Sequence, residues 1–142
     1  MRVIEIKKIL VIIAVALLFV VASSAGAMAK QEEIKQEKIT DTFNLKQGYR
    51  LHFAEINVAG TKVWMQLTRV NGDVVDDHVF QSGEYFSMYD DETLIVEATE
   101  LNIFQGNLVN LVVIDDLVQY NKNTGNPMLT MDRVVLAKPI SN

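Results

Sequence analysis

Residues 62–80, KVWMQLTRVNGDVVDDHVF, predict a β-hairpin. In the first half of this stretch the apolar side chains of Val63, Met65 and Leu67 alternate with polar or aromatic neighbours, which is the period of a strand with one buried face. The dipeptide Asn-Gly at 71–72 follows, and both residues tolerate the positive φ of a tight hairpin turn. The second half is rich in valine, so we expect it to return as the partner strand.

The same pattern of short β-branched and aromatic runs between turn residues extends over most of the chain. Residues 108–114 are nearly all apolar, which predicts a central strand buried on both faces. The run 49–58 changes phase near Ala54, which indicates a β-bulge. Because no later segment shows a 3.6-residue period, we predict an all-β domain over residues 42–138. Its expected architecture is an antiparallel β-sandwich of about seven to nine short strands.

The N-terminal 29 residues have the three-part order of a secretory leader. A basic start is followed by the uninterrupted apolar run 9–21 and by the small-residue stretch 22–29. An A-x-A pattern offers cleavage after Ala27 or Ala29. We therefore predict that a signal peptide, in the form of a hydrophobic helix, precedes the β-domain and directs its export.

An uncleaved membrane anchor is the alternative for this segment. The uncharged stretch 9–29 holds 21 residues, and about 20 apolar residues suffice to span a bilayer. Cleavage is favoured because the end of the stretch is small and weakly apolar. Under either interpretation the charged linker 30–41 and the β-domain lie outside the cytoplasmic membrane, and the leader is the only expected membrane contact.

Composition excludes several classes of function. The leader carries three of the 13 basic residues and one of the 18 acidic residues, so the exported part has 10 basic and 17 acidic residues and a net charge near −7. An acidic domain is a poor partner for nucleic acid, because a basic face is needed to replace the counterions of the phosphates. The chain has no cysteine, which excludes disulfides and thiolate chemistry.

The sequence predicts neither catalytic nor cofactor-binding residues. The two histidines, His52 and His78, stand 26 residues apart in predicted strands, without the spacing of a metal-binding or catalytic motif. No nucleophile elbow or glycine-rich phosphate loop is present. We therefore expect a protein that is not an enzyme.

Acidic clusters in the predicted turns are the candidates for a metal site. Carboxylates that converge from loops can bind Ca²⁺, but the spacing of an EF-hand is missing. We favour the interpretation that these turns are acidic because they face water, where like charges also oppose aggregation. The candidate calcium ligands are Asp73, Asp76, Asp77, Asp90, Asp91, Asp115 and Asp116.

Four aromatic residues could stack against a sugar: Trp64, Tyr85, Phe86 and Tyr89. Aromatic side chains in a β-domain more often fill the core or form cross-strand pairs, and we expect the core for these four. A secreted module that binds divalent cations or glycans is thus the alternative function.

Five blocks of the sequence together form a recognisable pattern. They are Gly48-Tyr49-x-Leu51, Glu55-Ile56-x-Val58-x-Gly60-x-Lys62-Val63-Trp64-x-x-Leu67, Gly72-x-x-Val75-Asp76-Asp77-x-Val79, Ile103-Phe104-x-Gly106 and Leu108-Val109-x-Leu111-Val112-x-Ile114-Asp115-Asp116-Leu117-x-Gln119-Tyr120. In this order the blocks resemble the S-layer duplication domain of methanogenic archaea, and the similarity covers about residues 43–137.

The resemblance implies a β-sandwich module of a proteinaceous cell-surface lattice, without catalytic residues. The resemblance implies two tandem modules, a polar stalk and a C-terminal membrane helix as the typical family architecture, whereas from these 142 residues we expect one module without the stalk or the terminal helix. The expected function is therefore a structural or accessory component of the surface layer at the archaeal cell surface. Its expected partners are S-layer subunits or further copies of itself.

Overall fold

The computed structural model describes residues 39–140, and all regular secondary structure in this range is β-strand. Eight strands form two four-stranded antiparallel sheets, in which each strand pairs with its neighbour in the chain. The prediction of an antiparallel β-sandwich is confirmed. The first sheet contains β1 (Thr42–Asn44), β2 (Tyr49–Ile56), β3 (Lys62–Arg69) and β4 (Val74–Gln81), and the second contains β5 (Glu84–Asp90), β6 (Thr93–Gln105), β7 (Val109–Tyr120) and β8 (Pro127–Pro139).

The predictions of a leader and a charged linker concern the N-terminal part of the chain. The predicted leader, residues 1–29, and residues 30–38 of the predicted linker lie outside the described residues. Within residues 39–140 no helix is long and apolar enough to cross a membrane.

The core lies between the two sheets. The alternation seen in β3 places Val63, Met65 and Leu67 in this core, each with an exposed fraction of 1% or less. Phe86 and Met88 of β5 meet them from the second sheet and are fully buried. Burial of each such side chain stabilises the fold by about 1.5–3 kcal/mol, so the sandwich holds together without a disulfide.

The predicted hairpin is confirmed, with a different turn. β3 and β4 pair antiparallel, but the loop has three residues, since the Arg69 amide donates to the Asp73 carbonyl at 2.8 Å. Within this loop only Gly72 has a positive φ, of 96°. Asn71 instead accepts a hydrogen bond from the Asp73 amide through its side chain, at 3.0 Å. A three-residue loop with glycine in the left-handed region is the next most common hairpin connection.

Two further predictions agree with the structure. The register between β2 and β3 shifts between Phe53 and Glu55, which confirms the bulge predicted near Ala54. β7 is buried on both faces: Val112 faces the core between the sheets, and Val113 belongs to a smaller apolar cluster on the outer face of the second sheet.

The chain crosses from the second sheet to the first just before β1. The Thr40 carbonyl accepts a hydrogen bond from the Ala137 amide of β8 at 3.0 Å. The next carbonyl, that of Asp41, accepts one from the Phe53 amide of β2 at 2.7 Å. Because the crossing occurs here, β1 covers only the first part of the longer strand β2.

Candidate functional site

The predicted calcium ligands do not converge. Within the described part of the chain no three acidic or histidine residues form a group that could hold a metal ion. Asp76 accepts hydrogen bonds from the amides of Asp77 and Tyr89, both at 2.8 Å. Asp77 accepts one from the indole nitrogen of Trp64. These two carboxylates thus connect β4 to the neighbouring strands.

Asp115 and Asp116 lie within β7 and have partners among the described residues, whereas Asp91 lies in a turn. Asp115 forms an ion pair with the Nε of Arg133 at 2.7 Å. Asp116 accepts a hydrogen bond from the Thr99 hydroxyl at 3.2 Å. Asp91 occupies the β5–β6 turn with a φ of 54°. Each group therefore has a local structural role in a turn or between strands.

Asp90 is the most buried of the candidate ligands, with 6% of its surface exposed. Its Oδ2 accepts hydrogen bonds from the Tyr49 hydroxyl at 2.5 Å, the Arg69 guanidinium at 2.7 Å and the Lys122 ammonium at 3.0 Å. The hydrogen bond from Tyr49 lowers the pKa of Asp90, and the charges of Lys122 and Arg69 act in the same direction, while burial opposes them. Burial and the bond to Asp90 raise the pKa of Tyr49. This carboxylate balances two cations and ties the two sheets together.

A buried amide closes the same end of the sandwich. The side chain of Gln119, which is fully buried, donates to the Lys46 carbonyl and accepts from the Lys46 amide, both at 2.8 Å. The side chain thereby joins β7 to the turn between β1 and β2 through one donated and one accepted hydrogen bond, as the backbone of a paired strand would. We call the region of Tyr49, Asp90 and Gln119 the closed end.

The aromatic residues divide between core and surface. Phe86 is fully buried, as expected. The expectation was wrong for Trp64, Tyr85 and Tyr89, which are 38%, 52% and 41% exposed. Trp64 lies on β3 of the first sheet, whereas the two tyrosines lie on β5 of the second. Alternation along the strands turns them to the outer faces, so the four aromatics do not form one stacking platform.

The histidines have structural surroundings. His52 Nδ1 lies 3.2 Å from the Thr42 hydroxyl across the β1–β2 pair. The His78 ring packs against Phe80, with the centroids 4.5 Å apart. The two side chains occupy different strands and have different neighbours.

The opposite end of the sandwich is open and holds a cleft of about 610 Å³. One wall is the end of β2 and the turn after it, residues 54–58, and the other is residues 138–140 at the end of β8. Lys138 reaches across, and its ammonium donates to the Ala54 carbonyl at 2.6 Å. Gln105 of β6 supports the first wall by a hydrogen bond to the Val58 carbonyl at 3.0 Å. We call this region the open end.

One polar group at the open end lacks a partner. Asn110, at the start of β7, lines the cleft and is 8% exposed. Its Oδ1 is fully buried and has no hydrogen-bond partner among residues 39–140. A buried acceptor without a partner is destabilising by about 1–3 kcal/mol.

Neither Asn110 nor Gln119 was predicted from the sequence. Both interrupt the apolar run of β7, and this interruption is the signal that could have drawn attention to them. A buried amide inside a central strand needs partners, since unsatisfied polar groups are rare in protein interiors.

Strand pairing, inter-sheet hydrogen bonds and an open cleft define the described part of this chain as a β-sandwich module. The sequence profile of the S-layer protein family matches residues 27–130, and the chain belongs to this family. It is similar to the "Major S-layer protein" of Methanosarcina barkeri (strain Fusaro / DSM 804), with 28% identity over 109 residues. The match covers 68% of this chain and 16% of that relative. No solved structure gives a significant match.

Family membership has consequences at the level of the class. It points to a structural, non-enzymatic protein and implies a location at the cell surface. It also agrees with the family resemblance in the sequence blocks quoted above.

Proposed function

We propose that this protein is a structural or accessory component of a proteinaceous surface layer, and that it acts through contacts with S-layer subunits or with its own copies. The family match over residues 27–130 carries this proposal. The fold supports it, because a stable sandwich with open strand edges can associate without any catalytic group. The acidic composition is compatible with life at the outer surface, where net charge keeps proteins soluble.

Export through the N-terminal segment is part of the proposal. A basic start, an apolar run and a small-residue stretch are the features of a secretory leader. If the leader is retained, it holds the protein to the membrane; if it is cleaved, the β-domain is released from this attachment. The intact mass of the protein recovered from cells distinguishes the two cases.

Co-sedimentation tests the central claim. The full chain is mixed with assembled, purified major S-layer protein of Methanosarcina barkeri, and the pellet is assayed over a range of concentrations. We expect saturable recovery in the pellet. The proposal is refuted if the chain stays in the supernatant while the lattice sediments, and if analytical ultracentrifugation shows the chain to be a monomer at all concentrations.

A further inference from the structure

We propose that the open end binds an extended segment of a surface-layer subunit, which pairs with the exposed edge of β2 as an added strand. The inference rests on the proposed function and names the surface that performs it. Three features at the open end support it: an uncovered stretch of backbone, an amide without a partner and an ammonium group between the two walls of the cleft.

The uncovered backbone follows from the shortness of β1. β1 pairs with only three residues of β2, from Arg50 to His52. The backbone carbonyl of Asp41 then accepts a hydrogen bond from the Phe53 amide. Beyond Phe53, in the part of the chain that the structure describes, the one hydrogen bond to this edge of β2 is that of Lys138 to the Ala54 carbonyl. A sheet edge of this kind is a template for another strand.

Ile56 presents its backbone to the cleft. The Asn57 amide donates to the Lys62 carbonyl of β3 at 3.0 Å. Successive residues of an antiparallel strand point their N–H and C=O groups to alternate sides. The N–H and C=O of Ile56 therefore point away from β3, toward the side on which the end of β8 forms the other wall. One residue of an added strand can satisfy both groups.

The side chains in the cleft match the rest of such a segment. Asn110 lines the cleft and its buried Oδ1 has no partner among the described residues; rotation of the side chain toward the cleft lets this oxygen accept a peptide N–H. An ammonium has three donors, and Lys138 uses one of them on Ala54. A peptide carbonyl or an acidic side chain can accept another. An extended peptide offers donors and acceptors in alternation, so it can satisfy Ile56, Asn110 and Lys138 at the same time.

Other edges of the sandwich are less suited to this role. β8 is engaged at its edge by Thr40 through the Ala137 amide. β4 and β5 lie beside each other at the corner of the sandwich, where Asp76 accepts a hydrogen bond from the Tyr89 amide. Neither edge has a cleft of this size with a buried amide that lacks a partner among residues 39–140.

The decisive variant is Ile56→Pro in the full chain. Proline removes the outward N–H and leaves the ladder to β3 intact, as proline at sheet edges does. In the co-sedimentation assay with assembled Methanosarcina barkeri S-layer protein we expect binding about tenfold weaker, the effect of one lost hydrogen bond. Val79→Pro is the control for a proline at an edge of the same sheet: the Ser82 amide donates to the Thr61 carbonyl, so the Val79 N–H points away from β3 on the opposite edge. This variant should bind as the unmodified chain does.

Asn110→Leu is a second variant that does not touch the backbone. It removes the amide and keeps the branched shape of the side chain, and because Oδ1 has no protein partner among the described residues, the melting temperature should not fall. Binding should again weaken about tenfold. If both variants bind the lattice as tightly as the unmodified chain, the open end is not the contact surface, while the proposed function stands. If the unmodified chain itself fails to bind, the proposed function and this inference both fail.

Hydrogen exchange locates the contact directly. In the complex the Ile56 amide should exchange at least about tenfold more slowly than in the free chain, since it gains a hydrogen bond. The neighbouring Asn57 amide already pairs with Lys62 and should keep its rate. Protection that appears only elsewhere, for instance on β4, would overturn the assignment to β2.

Discussion

The Tyr49 hydroxyl of β2 donates a hydrogen bond of 2.5 Å to Oδ2 of Asp90 at the end of β5, and this bond joins the two sheets. Tyr49 is 1% exposed and Asp90 is 6% exposed. The guanidinium carbon of Arg69 lies 5.2 Å from the centre of the Tyr49 ring, so the same arginine contacts both partners. The closed end is therefore fixed by polar contacts, whereas the open end holds a buried amide oxygen without a partner among residues 39–140.

Tyr49→Phe should lower the free energy of unfolding by about 1–2 kcal/mol, because it removes a buried hydrogen bond to a charged group and keeps the ring. Urea denaturation measures the change. Tyr89→Phe is the control, since Tyr89 lies on the same strand as Asp90 and is 41% exposed. The free energy of unfolding of this variant should stay within about 0.5 kcal/mol of that of the unmodified protein. Equal losses in the two variants would contradict the role of the Tyr49 bond.

Asp90 should make the fold sensitive to acid. Its pKa in the folded protein is lowered from the ordinary value of 3.8, so the ionised carboxylate contributes stability above that value. The contribution is lost as the pH falls through the lowered pKa. The difference in unfolding free energy between the unmodified protein and Asp90→Asn should therefore be constant near neutral pH and shrink in the acid range below 3.8. A difference that is independent of pH throughout this range would show that the charge of Asp90 is unimportant.

Replacement of the two buried amides of β7 should affect the free energy of unfolding very differently. Gln119→Leu leaves both backbone groups of Lys46 without their side-chain partner, and we expect a loss of about 2–4 kcal/mol in unfolding free energy. Asn110→Leu removes an amide whose Oδ1 has no partner in the described range, and we expect no loss. Thermal denaturation of both variants makes the comparison. A similar loss for Asn110→Leu would mean that its amide stabilises the free domain.

The contrast between the two amides explains what the sequence could predict. Alternation in β3 identified Val63, Met65 and Leu67 as core residues, because the side-chain period of a strand is local information. The bulge near Ala54 was visible for the same reason, as a change of phase. Lys46, the partner of Gln119, is 73 residues away in the chain, and Tyr49 is 41 residues away from Asp90. Such pairs depend on how the sheets stack, which no local period encodes.

The exposed aromatic residues show the same limit of prediction from local sequence patterns. Tyr85 and Tyr89 were expected in the core, but the alternation of β5 places Phe86 and Met88 there instead. Tyr85 and Phe86 are consecutive residues of β5, so they cannot both face the same side of the strand. Their relative phase is set by the core positions of the neighbouring strand β6, and the type of residue alone does not predict it.

Gly106 should be intolerant of substitution. A Cβ at this position would lie 2.4 Å from the Val109 carbonyl oxygen in the β6–β7 turn. Since the obstacle is backbone, the turn must open, and Gly106→Ala should lower the free energy of unfolding by about 1–3 kcal/mol. Asn107→Ala in the same turn is the control and should have an effect below about 0.5 kcal/mol, because Asn107 is exposed. Chemical denaturation of the pair decides whether the glycine of the Ile103-Phe104-x-Gly106 block is needed for this turn.

Calcium should have no effect on stability. Six of the seven candidate carboxylates accept hydrogen bonds from protein groups; those of Asp76 and Asp77, the densest cluster, bind strand amides and the Trp64 indole. A bound ion would have to replace these donors. A site occupied at 100 times its dissociation constant would stabilise the fold by about 2.7 kcal/mol. Scanning calorimetry in millimolar CaCl₂ and in EDTA should therefore give the same melting temperature. A rise in CaCl₂ that disappears in the double variant Asp76→Asn, Asp77→Asn would instead establish a calcium site at β4, and it would require the two carboxylates to exchange their strand contacts for the ion.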